Sequence, residues 1–173
     1  EEAIRDPLTG LYTRLYMKDA VSALLWSHDR HELPELSMAI FDIDHFKNIN
    51  DSHGHKNGDK VLRDVAAAIL RQSPEIPIRF GGEEFLVFIP ASHEAAHQLA
   101  ERVRRDVEAM RVDLGESVIR VTISAGIASH RQGEALDDFM HRADQLLYQA
   151  KRNGRNRTMF EPPPEIRMAT RFT

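Results

Sequence analysis

Three groups of residues have types and spacings suited to chemistry. The first is Asp42-Ile43-Asp44, two carboxylates flanking one apolar residue at the end of an apolar run. Carboxylates at the end of a buried strand are costly unless they are hydrogen-bonded or face a cation. Strand alternation predicts Asp42 and Asp44 on one side and Ile43 on the other. Taken alone, an Asp-x-Asp pair is more simply read as a loop cap or a solvated strand end. The second group is Gly81-Gly82-Glu83-Glu84-Phe85. Two positions without side chains let a bulky ligand approach the backbone, and two carboxylates follow at once. If the two segments lie on neighbouring strands, Asp42, Glu83 and Glu84 converge on one small volume. Carboxylates held that close repel unless metal ions occupy the gap, and hard ions such as Mg²⁺ want such oxygen ligands. The third group is cationic. Lys47 lies just beyond the aspartates, and Lys151 and Arg155 fall one turn apart at the end of the last predicted helix. Pairing with a helix C-terminal dipole explains those two residues alone, at about 0.3–1 kcal/mol each. Acidic ligands together with scattered Lys and Arg are what nucleoside triphosphate–Mg²⁺ chemistry requires. No Gly-x-x-x-x-Gly-Lys loop exists, so a P-loop enzyme is excluded. His45, His53 and His55 lack a His-Glu-x-x-His pattern, and two of them fall in a Gly-rich segment. A solvated or substrate-contacting role suits them better than zinc.

The elements that would carry these groups follow from periodicity. Arg14 to His28 reads as a helix on Leu15, Val21, Leu24 and Leu25, with Thr13 placed to cap it. Met38 to Ile43 suits a strand buried on both faces. Asn48 to Gly58 reads as a polar loop, and Asp59 to Leu70 as a second helix on Val61, Leu62, Val65, Ala66 and Ile69. Ile78–Phe80 and Phe85–Ile89 are short apolar runs joined by paired glycines. That is a hairpin signal, because tight primed turns need positive φ. Ser92 opens a third helix reaching Met110. Ser117 to Ser129 alternates as one long strand, with Val121, Ile123, Ala125 and Ile127 in one register. Leu136 to Arg152 is a fourth helix closed by Gly154, and Thr158–Phe160 a possible edge strand. The mixture predicts an α+β fold, helices covering a central antiparallel sheet.

Composition bounds the partners. The chain has 173 residues, one domain at about 100–200 residues each. Lys plus Arg total 23 against 27 Asp plus Glu, a formal net charge of −4. That balance argues against a nucleic-acid coat, which needs a basic domain. No run of about 18 apolar residues suggests a membrane span, and no signal peptide is visible. Cys is absent, which removes disulfides, thiolate metal sites and Cys nucleophiles. The chain begins without Met, so a longer protein with an N-terminal sensory or regulatory domain upstream of Glu1 is expected.

The motifs together resemble the GGDEF-domain diguanylate cyclases, with Gly81-Gly82-Glu83-Glu84-Phe85 as the GGEEF variant. The resemblance covers nearly the whole chain. It includes Asp6-Pro7-Leu8-Thr9-Gly10-Leu11 and Phe41-Asp42-Ile43-Asp44-His45-Phe46-Lys47 with Asn50-Asp51. It continues through Gly54-His55, Gly58-Asp59, Ser124-Ala125-Gly126, and Ala150-Lys151 with Gly154-Arg155-Asn156-Arg157. Thr13, where many members have Asn, is a minor departure.

What the resemblance implies is specific. The fold would be a nucleotidyl-cyclase, polymerase-palm-like antiparallel sheet surrounded by helices. The activity would be condensation of two GTP into cyclic di-GMP and two pyrophosphates, by a homodimer with one GTP per subunit. Asp42, the carbonyl of Ile43 and Glu83 would bind Mg²⁺ or Mn²⁺. Glu83 or Glu84 would help deprotonate the attacking 3′-hydroxyl. Lys47, Lys151 and Arg155 would hold phosphates. Asn50 and Asp59 would read guanine, with Phe46 and His55 beside the nucleotide. Many members carry an inhibitory product site, Arg-x-x-Asp, which here falls on Gln72-Ser73-Pro74-Glu75 and is degenerate. The alternative is a catalytically weak module that senses GTP or cyclic di-GMP. Residues 1–160 are expected to form the catalytic domain and residues 161–173 a Pro-rich, flexible tail. A cytoplasmic domain is expected, with no membrane contact of its own.

Overall fold

The computed structural model describes residues 4–73 and 76–161. Its elements run β1 (Tyr12–Thr13), α1 (Arg14–Asp29), β2 (Ser37–Ile43), α2 (Phe46–His53), α3 (His55–Gln72), β3 (Pro77–Arg79) and β4 (Glu84–Ile89). They continue through α4 (His93–Ala109), β5 (Val112–Asp113), β6 (Val118–Ile119), β7 (Ile123–Ser129), α5 (Leu136–Arg152) and β8 (Thr158–Phe160). Six strands form one sheet in the order β1-β3-β4-β2-β7-β8, and β5 pairs β6 in a separate ribbon. The four central strands are antiparallel, while β1 with β3 and β7 with β8 pair in parallel at the two edges.

Period-2 alternation sorts the strand side chains into two cores. Ala39, Phe41 and Ile43 of β2 pack with Phe85 and Val87 of β4 and Ile123 and Ala125 of β7 against α3 and α4. Met38 and Ile40 pack with Leu86 and Phe88 against α1 and α5 on the other face. All seven residues of β2 are buried, as a central strand between two helical layers must be. Thr13 Oγ1 accepts from the Tyr16 N–H and Ser92 Oγ from the Ala95 N–H, so both helix starts are capped as the sequence suggests. Gly126 lies under α5 so closely that a Cβ there would stand 2.2 Å from the carbonyl oxygen of Ala143 and 2.4 Å from the nitrogen of Leu147.

The fold corrects several expectations. Residues 48–58 are not a loop: α2 fills 46–53, and α3 begins at His55. Buried Phe46 and half-buried Ile49 give α2 a narrow apolar stripe, and Gly54 at φ 84 makes the joint. The alternating segment 117–129 is two strands, because β6 turns away to pair β5. Gly81 and Gly82 are absent from the positive-φ glycines, so the β3–β4 connection is not a primed turn. Leu15 is 80% exposed and belongs to no core. Arg155 lies past the end of α5, in the left-handed region at φ 63. Residues 162–173, most of the expected tail, lie outside the described residues.

Candidate active site

The carboxylates singled out from sequence lie where β2 ends and the adjacent strand β4 begins, but the ligating oxygens of Asp42, Glu83 and Glu84 do not all come within 4.8 Å of one another. Asp42 stands opposite Glu84 in the antiparallel register, and the Ile43 N–H donates to the Glu83 carbonyl at 3.2 Å. Asp42 is 4% exposed, and Lys151 Nζ lies 3.0 Å from its Oδ2. Burial pushes the Asp42 carboxyl up to about 6; Lys151 opposes the rise, and the charges of Glu83 and Glu84 add to it. Glu84 is also raised, by burial first and then by Asp144 on α5, with Lys151 and Arg14 working against it. Three carboxylates thus share too little positive charge. The donor set is all oxygen, and a divalent cation would relieve both raised groups, so the residues fit a hard metal ion.

The glycine pair leaves room beside these acids. A Cβ on Gly81 would meet only the Glu84 side chain, at 3.7 Å or more, and one on Gly82 nothing within 4 Å. Neither backbone conformation nor protein packing therefore demands glycine here.

Asp44 does not join the acidic group. It lies beyond the last residue of β2, and its carboxylate accepts from the Thr122 and Ser124 hydroxyls at 2.7 Å each and from the Asn156 N–H at 2.9 Å. It is a post that holds the turn carrying Arg155. The side-by-side reading of Asp42 and Asp44 gives way to this division of labour.

Helices α2 and α3 carry the remaining candidates. Phe46 is buried and Asn50 half-buried, Lys47 exposed, His55 exposed and Asp59 half-buried. The Oδ1 atom of Asn50 is buried and accepts no hydrogen bond. Of the three cations, only Lys151 reaches the carboxylates; Lys47 and Arg155 are exposed and form no ion pair among the described residues. No metal-ligand cluster forms among His45, His53 and His55 in the described residues; the grouping that does form is His28, Asp29 and His130. Gln72 donates to Asp106 at 2.8 Å and accepts from Arg102 at 3.1 Å, while Glu75 lies outside the described residues.

Sequence reasoning missed Arg79. Its Nη1 lies 3.2 Å from both oxygens of Asp6, and its Nη2 donates to the Gly82 carbonyl at 3.0 Å. The opening turn and the glycine turn are therefore tied together, and the available signal was a cation two residues before Gly81. Arg14 and Asp144, which bias Glu84, gave no sequence signal.

Comparison with known proteins gives the family and the fold. The family model described as "Diguanylate cyclase, GGDEF domain" matches residues 3–157. The chain is 44% identical over 161 residues to the diguanylate cyclase DgcP of Pseudomonas aeruginosa, covering 91% of this chain and 24% of that protein. It is 38% identical over 165 residues to the diguanylate cyclase VdcA of Vibrio cholerae, covering 92% of this chain and 47% of that one. It therefore spans about a quarter to a half of the length of these relatives. The crystal structure of the GGDEF domain of DgcB from Caulobacter crescentus, in complex with c-di-GMP, superposes with a TM-score of 0.87 at 32% identity, covering 92% of this chain and 94% of that one.

Proposed function

Because the chain belongs to the diguanylate cyclase GGDEF-domain family, we propose that it condenses two GTP into cyclic di-GMP and two pyrophosphates, with one GTP on each subunit of a homodimer. The observation that carries the reading is Asp42 facing Glu84 beside Glu83, its carboxyl raised to about 6 and countered by Lys151. Such a site calls for a further cation to balance it.

Asp42, the Ile43 carbonyl and Glu83 would hold Mg²⁺ or Mn²⁺. When bound, such an ion neutralises phosphate charge and orients the attacking and leaving oxygens of an in-line displacement. The chain's own residues supply the rest. The open space at Gly81 and Gly82 admits the ribose and phosphates close to the backbone. Glu84 takes the proton of the 3′-hydroxyl, since a carboxyl with a raised pKa is the better base near neutrality. The 3′-oxygen forms a bond to the α-phosphorus of the GTP on the partner subunit, the bond from that phosphorus to the β-phosphate oxygen breaks, and pyrophosphate leaves. A second, symmetric attack closes the ring. Lys151 turns from Asp42 to the phosphates, and with Lys47 and Arg155 balances the charge of the leaving pyrophosphate. Asn50 and Asp59 accept from the exocyclic amine and N1–H of guanine, donors that adenine does not present in that pattern. Phe46 and His55 flank the nucleotide.

The test is incubation of the protein with GTP and Mg²⁺, with pyrophosphate and cyclic di-GMP both quantified. Two pyrophosphates per cyclic di-GMP are expected. A protein that binds GTP yet releases no pyrophosphate at micromolar concentration would be a nucleotide-sensing module instead.

A further inference from the structure

A second cluster of ligand-type side chains lies at the opposite end of the sheet. In the pairing of β2 with β7, Ile43 meets Ile123 at the active-site end and Ser37 meets Ser129 at the other. Six residues of strand separate those ends, about 20 Å at 3.3 Å per residue. His130 follows directly after Ser129, its N–H donating to the Leu36 carbonyl at 2.8 Å. His28, in the last turn of α1, meets it there. The rings are 6% and 5% exposed, with their Nδ1 atoms 2.6 Å apart. Ligating atoms of His28, His130 and Asp29 all lie within 4.8 Å of one another.

We propose that His28, His130 and Asp29 form a binding site for a borderline transition-metal ion of the Zn²⁺ class. Two features prepare it. His130 Nε2 lies 2.8 Å from the Glu134 carbonyl and can only donate to it. That contact fixes the tautomer and leaves Nδ1 with a lone pair aimed at His28, the usual outer support of a liganding histidine. Asp29 is likewise anchored, one carboxylate oxygen accepting from the Gly133 N–H at 2.7 Å. It also sits at the C-terminus of α1, where carbonyl partial charges disfavour an anion and favour a cation.

Burial disfavours positive charge on His28 most, His130 and His31 add to that, and the negative charges of Asp29 and Glu35 work the other way. Glu134, beside His130, is neutralised by Arg142 at 2.7 Å. Nitrogens on one tetrahedral ion at 2.0–2.1 Å stand about 3.3 Å apart, so the rings would open by about 0.7 Å. Two imidazoles and one carboxylate leave a fourth corner for water. Nitrogen ligands separate this site from the all-oxygen site at Asp42, which suits Mg²⁺. Occupancy would join the end of α1 to the segment leading into α5.

The experiment uses the whole chain, stripped with chelator and titrated with Zn²⁺ and separately with Co²⁺. The readouts are thermal unfolding and the visible absorption of Co²⁺. Zn²⁺ in about 10-fold excess should raise the melting temperature measurably, because an ion that binds only the folded state stabilises it. The shift should persist in Asp42→Asn, vanish in His28→Gln and His130→Gln, and need about 10-fold more Zn²⁺ in Asp29→Asn. Because substituting the buried histidines puts folding itself at risk, exposed Asp29→Asn and the nitrogen-ligand Co²⁺ spectrum decide independently. The assignment is overturned if Asp42→Asn abolishes the shift or if Asp29→Asn leaves both readouts unchanged. It is equally overturned if the unaltered protein shows neither response, which would leave a neutral histidine–histidine hydrogen bond.

Discussion

Gly58 and Asn50 occupy one another's space: a Cβ on Gly58 would stand 1.8 Å from Asn50 Oδ1. The Asn50 Cγ lies 3.0 Å and the buried Phe46 ring 3.4 Å from that point, so a methyl group there would displace the Asn50 amide. Glycine inside α3 costs helix stability of about 0.5–1 kcal/mol relative to alanine, and the position of Asn50 is what it provides. Gly58→Ala should therefore raise KM for GTP about 10-fold or more while kcat changes little. Asn50→Ala should narrow the preference for GTP over inosine triphosphate, which lacks the exocyclic amine. Steady-state kinetics with both nucleotides checks this, and an unchanged ratio would remove Asn50 from base recognition.

Asp42 sets a pH dependence. Its carboxyl is raised from 3.8 to about 6 by burial, chiefly, with Glu83 and Glu84 adding to the shift. The folded state therefore binds this proton more tightly than the unfolded state. Stability is greatest below the unfolded value and is lost as pH rises through about 6. Asp42→Asn should melt higher than the unaltered protein at pH 7.5, by up to about 3 kcal/mol, and the gain should fade by pH 4. The same variant should be inactive. Cyclic di-GMP synthesis by the unaltered protein at limiting Mg²⁺ should decline as pH falls through about 6, and excess Mg²⁺ should move that decline to lower pH, because a cation competes with the proton for the carboxylate.

Arg79 should matter for folding. Burial works against the charge of Asp6, but hydrogen bonds from Thr9 and the charge and hydrogen bond of Arg79 outweigh it and hold the carboxyl below its ordinary value. That contribution is present above the unfolded pKa and is lost as pH falls through the folded one. Arg79→Met should cost about 1–3 kcal/mol at pH 7 and less at pH 3. Denaturant titration at the two values measures it. Equal losses would mean that Asp6 charge is not the cause.

Specific activity should fall on dilution. In the proposed mechanism, two GTP held one per subunit react only when two active sites face each other. Activity per milligram, followed from micromolar to nanomolar protein alongside sedimentation, checks this. A flat profile from a protein that sediments as a monomer would exclude the two-subunit mechanism.

Product feedback at residues 72–75 should be weak. Gln72 is already engaged with Asp106 and Arg102. An amide also lacks the charged fork that grips phosphate, a difference of about 1.5–3 kcal/mol per contact. Calorimetry should show no submicromolar cyclic di-GMP binding that Gln72→Ala weakens. Gln72→Arg combined with Glu75→Asp should create or strengthen inhibition.

The parts legible in sequence were those with long, regular patterns. The predicted bounds of α5, Leu136 to Arg152, coincide with the observed ones, because Phe139, Ala143, Leu146, Leu147 and Ala150 mark one helical face. β2 was legible because every position is buried. Helix α2 was not, since its apolar stripe is little more than Phe46 and Ile49 within eight residues of polar sequence. Strands β1 and β5 span two residues each, too short for any period. Gly58 read as loop because its reason is a neighbour in space, Asn50. The acids at the β2 and β4 ends carried a motif; Arg79 with Asp6 and His28 with His130 are joined only by the fold, 73 and 102 residues apart.

The seat of α5 on Gly126 bears on how quickly the active site can exchange one partner for another. With its backbone resting against β7 and no methyl group between them, the helix has no slack to lift or slide. Any substrate that draws the half-buried Lys151 away from Asp42 can do so by rotating that one side chain, without displacing the helix. The hand-over is thus not tied to the microsecond-to-millisecond motions of lids and domains. Within one subunit, no movement of α5 has to precede it.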